Sequence, residues 1–151
     1  MQIIAHTMQY SGGAVCPPAL QLRSYCDSDY EEYRRMYEDC FAEMRTALGL
    51  PVSCCDDREA MQRKRGKVFI LEKDGVLAGS VAMYGNEIDD LVVARAFQRR
   101  GYGQALLRFA LSALQKAGVQ PICLRVADWN RGALAMYQKN GFQIVKTEVV
   151  R

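Results

Sequence analysis

The sequence predicts an α/β fold, a mixed sheet with helices packed on it, and three observations carry that prediction. Apolar positions alternate with a period of two in stretches such as KVFILEKDGVLAGSVAMYG and FQIVKTEVV, and recur near a period of 3.6 from Tyr30 to Leu48 and from Leu106 to Leu114. Gly, Pro, Asn or Asp stands at most of the changes between the two periods. The 151 residues are half hydrophobic and one quarter charged, enough for a single domain with a sizeable core.

The elements follow in order. Residues 1–18 carry a short apolar run, then Gly-Gly and Pro-Pro, and read as an N-terminal extension with an edge strand; residues 19–151 read as the domain proper. LQLRSY alternates as a strand. Ser28 and Glu31 form a capping box, in which each side chain satisfies an amide of the first turn, so a helix is expected from Ser28. Tyr30, Tyr33, Tyr37, Phe41, Met44 and Leu48 continue it, and Gly49 with Pro51 stops it. Asp56 to Glu59 opens a short second helix that Gly66 ends. Asp74-Gly75 tolerates positive φ at both positions and joins two β-rich runs as a hairpin. NEIDDLVVA is the next strand, and its apolar end at Leu91 to Val93 is expected to be buried. A turn leads into a helix with Leu106, Leu107, Ala110, Leu111 and Leu114 on its inner face and Gly118 after it. PICLRVA is a strand, NRGALAMYQKN a short helix closed by Gly141, and FQIVKTEVV the last strand.

Composition excludes several classes of function. The 20 basic and 17 acidic residues are interspersed, so the net charge of +3 asks for neither a nucleic acid nor a membrane. No run reaches the roughly 18 apolar residues of a spanning helix, and MQIIAHTMQY lacks the basic start and long apolar core of a secretory signal. The expectation is a cytoplasmic protein. Six cysteines without a C-x-x-C pair fit free thiols in a reducing compartment, and the single His6 has no partner at ligand spacing, so no metal is expected.

The chemistry concentrates in FQRRGYGQ. Between a buried strand and a helix, Gln98, Arg99, Arg100, Gly101, Tyr102, Gly103 and Gln104 bring backbone amides, a helix N-terminus and two guanidinium groups to one spot. Such a spot suits a phosphate, because glycine permits close backbone approach and arginine adds charge-assisted bonds. Alone, the pattern equally describes an ordinary helix start with solvated arginines. A triphosphate loop would need Gly-Lys-Ser/Thr, which is missing. A dinucleotide fingerprint would need a third glycine, and Leu106 stands there. A pyrophosphate ligand that needs no metal survives.

EIDDLVV, then QRRGYG, then NRGALAMYQKNGF together resemble the GNAT superfamily of acetyl-CoA-dependent N-acetyltransferases, over roughly residues 19 to 151. QRRGYG is similar to that family's Q/R-x-x-G-x-G/A loop, and N-x-x-A-x-x-x-Y-x-x-x-G-F to its second coenzyme motif. The resemblance implies a mixed, mostly antiparallel central sheet, splayed between two strands and flanked by about four helices. It implies that backbone groups of Leu91, Val92 and Val93 pair with the pantetheine arm, that Gln98, Arg99, Arg100, Gly101, Tyr102, Gly103 and Gln104 wrap the pyrophosphate, that Asn130 contacts the arm, and that Tyr137 stands near the thioester sulfur. Seven residues of helix separate Asn130 from Tyr137, about 10 Å along one face.

The implied activity is acetyl transfer to an amine, of a small molecule or of a protein, by direct attack with no covalent enzyme intermediate. A non-catalytic acyl-CoA-binding module is the alternative. An alkyl ammonium is about 3.5 pK units from its nucleophilic form at pH 7, equivalent to about 4–5 kcal/mol, so a base is required. Glu87, Asp89 and Asp90 are the candidates. Regular alternation sets Glu87 and Asp89 on one face and Asp90 on the other unless a bulge intervenes. Glu87, eleven positions before Gln98, matches the glutamate base of the family's protein-lysine branch, so the resemblance favours it, with Tyr137 as the acid. The family commonly has one more strand after Gly-Phe, so an edge is left that QIIAHTM could cover, from the same chain or from a second copy in a homodimer.

Overall fold

The computed structural model describes residues 2–150. Its elements are β1 (Ile3–Tyr10), β2 (Arg23–Ser24), α1 (Tyr30–Ala47), α2 (Arg58–Arg63), β3 (Val68–Lys73), β4 (Val76–Tyr84), β5 (Glu87–Val93), α3 (Tyr102–Lys116), β6 (Cys123–Ala127), α4 (Arg131–Lys139) and β7 (Phe142–Val150). The seven strands form one sheet in the order β2-β3-β4-β5-β6-β1-β7. Every neighbouring pair is antiparallel except β5 with β6, which are parallel.

That parallel pair is short. It holds only at Glu87 with Cys123 and Ile88 with Leu124, and beyond Ile88 the two strands part. The divergence coincides with a bulge in β5. Asp89 stands opposite Ala82 and Val92 opposite Ser80, so Asp90 and Leu91 share the space across from Val81, and Asp90 takes φ 48°. A strand bent at this point cannot keep hydrogen-bonding distance to β6, and a splay results.

Each face of the sheet carries its own core. Tyr30, Tyr33 and Met36 of α1 and Met61 of α2 pack on Val68, Ile70, Leu77, Ala82 and Val92. On the other face Leu106, Leu107, Ala110, Leu111 and Leu114 of α3 join Leu134 and Tyr137 of α4 over Met8, Ala78, Val81, Ile88 and Leu124. The α3 residues are the five that helical spacing had assigned to its inner face. The Asp74-Gly75 turn has φ 52° and 77°, as the hairpin reading requires. At the start of α2, Asp57 accepts a hydrogen bond from the Ala60 amide at 2.9 Å.

Four expectations are corrected. Residues 3–10 are neither an edge strand nor an appendage: β1 lies inside the sheet, antiparallel to β6 on one side and β7 on the other, so the structural unit begins well before residue 19. Its QIIAHTM stretch covers, within one chain, the edge that the sequence left open. His6 is buried there, with one ring nitrogen 2.7 Å from Asp128 Oδ1 and the other 2.8 Å from Thr147 Oγ1. LQLRSY keeps only two strand residues. The capping box at the head of α1 sits two residues early: the Cys26 amide donates to Asp29 Oδ2 at 2.9 Å across a 3-10 turn, and Arg23 holds both oxygens of Asp29 at 2.8 Å. A buried carboxylate with a bidentate guanidinium displaces the Ser28 cap, which no local pattern reveals. Of Leu91 to Val93, only Val92 is fully buried, because the splay uncovers its neighbours.

Candidate active site

The turn after β5 begins with a 3-10 segment, Arg95–Phe97, and then passes through two left-handed residues, Arg99 at φ 64° and Gly101 at φ 84°. Gly101 is the N-cap of α3 and offers no side chain to it, while Ala105 is the first residue whose amide bonds back, to Gly101 O at 3.1 Å. The amides of Tyr102, Gly103 and Gln104 therefore project from the helix end without an intrahelical partner. They border a cleft of about 650 Å³ whose opposite wall is α4, with Gly132, Ala133, Met136 and Lys139. Unpaired amides, the positive end of a helix, and Arg99 and Lys139 give this cleft chemistry that suits an anion.

Not every residue of the loop shares that role. The Arg100 guanidinium lies over the Phe97 ring at 5.6 Å and does not line the cleft. The Gln98 side chain folds back and donates to the Val93 carbonyl at 2.9 Å. Lys139 was not singled out from the sequence; its position in the last turn of α4, three residues from Met136, was the only signal available.

A second cleft of about 300 Å³ continues from the first, sharing Ala133 and Met136, and runs into the splay. Along β5 the Ala94 amide donates to Ala78 O of β4 at 2.8 Å. Alternation turns the backbone of Val92 the same way, and a Cβ on Gly79 of β4 would stand 2.9 Å from Val92 O. Leu91 and Val93 consequently present their backbone groups across the splay, and Val92 does not. The Val93 carbonyl already accepts from Gln98 and from the Cys40 thiol at 3.1 Å, which leaves its amide as the open group.

Tyr137 of α4 and its N-cap residue Asn130 face Asp89, Asp90 and Leu91 of β5 across this second cleft. Tyr137 is 9% exposed, and burial, then the charge of Asp89, push its phenol up to about 12, so it keeps its proton at neutral pH. Asn130 Oδ1 caps α4 by accepting from the Ala133 amide at 3.2 Å. Asp89 also reaches a chamber of about 110 Å³ under α1 and α2. Burial, and next the charge of Asp90, raise its carboxyl above the usual aspartate value. Asp90 accepts from Tyr37 Oη and Tyr84 Oη, each at 2.8 Å. The bulge thus turns both aspartates toward α1, and Asp90 does not lie on the opposite face from Asp89. Glu87 stands before the splay, where β5 and β6 still pair; Arg125 Nε donates to it at 3.0 Å, and it lines neither cleft.

The cysteines near the splay are not poised to react. Burial first of all pushes the Cys40 thiol up to about 11 and that of Cys55 up to about 12, and raises Cys54 as well. A larger cleft, about 850 Å³, lies at the far end of α3 and has only uncharged lining side chains. Among the described residues no group of three or more His, Cys, Asp or Glu is arranged to hold a metal, and no helix is long and apolar enough to cross a membrane.

Residues 28–142 match the acetyltransferase (GNAT) family. The chain belongs to that family. It is 38% identical over 60 residues to GCN5-related N-acetyltransferase 6, chloroplastic, of Arabidopsis thaliana, a stretch covering 40% of this chain and 21% of that protein. It is 32% identical over 85 residues to the [ribosomal protein bS18]-alanine N-acetyltransferase of Escherichia coli K12, covering 54% of this chain and 57% of that protein. The matched stretch thus spans less than two thirds of either relative. Among solved structures, the PaiA N-acetyltransferase of Thermoplasma acidophilum in complex with coenzyme A has the same fold, with TM-score 0.68 and 16% identity over 83% of this chain and 91% of that one. GNAT membership accounts for the mostly antiparallel open sheet.

Proposed function

We propose that this GNAT member is an N-acetyltransferase that moves acetyl from acetyl-CoA to an amine by direct attack. One observation carries the reading: the cleft at the head of α3 adjoins the cleft in the splay at Ala133 and Met136, and in the splay a carboxylate and a protonated phenol line the same cleft. The orphan amides of residues 102–104, with Arg99 and Lys139, suit the pyrophosphate. The open backbone groups of Leu91 and Val93 suit an extended amide-bearing arm, and Asn130 stands beside its path.

Asp89 is our candidate for the base in place of Glu87, because Asp89 lines the cleft and its raised pKa brings it nearer the working range of a proton acceptor. Directly or through a water, it takes the ammonium proton. The freed amine nitrogen attacks the thioester carbonyl carbon, the C–N bond forms, the C–S bond breaks as Tyr137 gives its proton to the departing sulfur, and the second proton shed by the new amide nitrogen restores the Tyr137 phenol. The cysteines have no step in this scheme.

The acceptor is a small-molecule or protein amine. A relative named for an alanine of a ribosomal protein supports the second kind, and the small chamber behind Asp89 supports a compact ammonium head. A cytoplasmic location fits this pairing of cosubstrate and acceptor. A homodimer would use β7, whose Val145 and Val149 are more than half exposed along an unpaired edge among the described residues.

The deciding experiment is an amine panel assayed for release of free coenzyme A. Amine-dependent turnover is expected. Coenzyme binding without turnover on any primary amine would leave only a binding module. Sedimentation over a concentration series tests the dimer in the same preparation.

A further inference from the structure

We propose that Asp90 is a positioning residue: clamped by Tyr37 and Tyr84, it turns β5 over so that its own backbone N–H fixes the Asp89 carboxylate at the cleft. The inference rests on the reading of Asp89 as proton acceptor.

Two consecutive strand residues normally point to opposite faces. Here that would send one aspartate into the dry core under α3 and α4. Instead Asp90 holds φ 48°, a left-handed conformation that residues with a Cβ adopt only at a cost and that aspartate tolerates better than most. A cost of that kind persists where the surroundings over-determine it. The surroundings are visible: the Tyr37 hydroxyl from α1 donates to Oδ1 and the Tyr84 hydroxyl from β4 to Oδ2, each at 2.8 Å. Burial, then the charge of Asp90 itself, push both phenols upward, so both remain donors.

The consequence falls on the neighbour. With residue 90 turned over, its amide reaches back to Asp89 Oδ1 at 2.7 Å. Asp89 is opposite Ala82 of the α1–α2 core and looks into the chamber beneath those helices. One oxygen of Asp89 is therefore tied to the backbone, and the other is left for a proton.

Other charges reach Asp89 besides Asp90. Glu87 precedes it on β5 and Arg125 faces it from β6. Lys64, just after α2, and Tyr137 of α4 feel it across the chamber and the cleft, and Tyr33, Cys54, Cys55 and Asp56 also line the chamber. Phenylalanine at 37 and 84 keeps both rings, so the packing of Lys64 over ring 84 and of Tyr33 against ring 37 is retained and only the two hydroxyl donors to Asp90 are removed.

The test is NMR titration of the whole chain, independent of any acceptor. The Asp90 amide proton shift is expected to follow ionisation of the Asp89 carboxyl group, which the shift of its carboxyl carbon reads directly. In Tyr37→Phe/Tyr84→Phe that response should shrink at least about threefold, and turnover on the best amine of the panel should fall at least about tenfold while coenzyme A affinity stays within about twofold. Should the double variant not fold, Asp90→Gly accepts the same φ without a Cβ and removes the clamp, with the same result expected at the amide of position 90. An amide that tracks Asp89 with full amplitude in the variant would overturn the proposal. Full turnover in Asp89→Asn would instead overturn the base assignment, leaving the amide response to decide the clamp.

Discussion

The roles proposed for Asp89 and Tyr137 place opposite demands on a proton. A proton donor must arrive protonated, and burial holds the Tyr137 phenol at about 12. Tyr137→Phe keeps the ring in the α3–α4 core and removes only the proton, so kcat should fall roughly 10- to 100-fold, with coenzyme affinity and melting temperature nearly unchanged; wild-type turnover would make the phenol a packing group. Asp89 has a folded-state pKa above the aspartate reference of 3.8, so the folded chain binds its proton more tightly than the unfolded one. Stability is then lost as pH rises from the unfolded value through the folded one, and the full penalty applies above the folded value. Asp89→Asn should therefore melt higher than wild type at pH 7, with the gap closing below about pH 4, while losing roughly 10²- to 10⁴-fold in turnover. Calorimetry at the two pH values and a coenzyme A release assay read both halves. A residue kept for packing would show no such trade.

Elements with local causes were legible in the sequence, and those with distant causes were not. The β3–β4 hairpin is specified by two adjacent residues that accept positive φ, and the buried face of α3 by five apolar positions within nine residues. The loop at the head of α3 is legible for the same reason. Nothing within β1 announces its place, because its partners lie more than 110 residues away: Ala5 pairs with Ala127 and with Glu148. The bulge in β5 depends on register with β4, so counting along the strand separated Asp89 from Asp90 and matched Glu87 to a spacing that ignores Arg125 on β6. The position of β1 has a consequence at this scale. Deleting residues 2–10 strips β6 and β7 of their common neighbour and removes Met8, which is fully buried in the α3–α4 core. Backbone ladders on both sides and a buried side chain go together, so the shortened chain should show no cooperative thermal transition by circular dichroism. A sharp transition within a few degrees of wild type would return these residues to the status of an appendage.

The molecule as a whole is a sheet in two parts, β2-β3-β4-β5 and β6-β1-β7, joined by two register pairs at Ile88 and Glu87 and by the helices packed over the gap. A ligand that fills the splay supplies part of the ladder that the strands leave open, so binding and folding are coupled. Coenzyme A at 100 times its dissociation constant should stabilise the fold by about 2.7 kcal/mol, which for a chain of this size is a rise of roughly 5–10 °C in melting temperature. EDTA should not change it, because the donors proposed for the pyrophosphate are amides and cationic side chains. Gly101→Val forces a Cβ-branched residue to φ 84° and should abolish the rise at the same concentration, whereas Asp89→Asn should keep it. Hydrogen exchange locates the effect more narrowly. Coenzyme A should slow exchange at the amides of Leu91 and Val93, which face the splay, and leave Val92 as it is, because Val92 already faces β4. Protection of all three alike, or of none, would mean that the arm does not lie along β5, and the coupling between the two parts of the sheet would have to run through α3 and α4 alone.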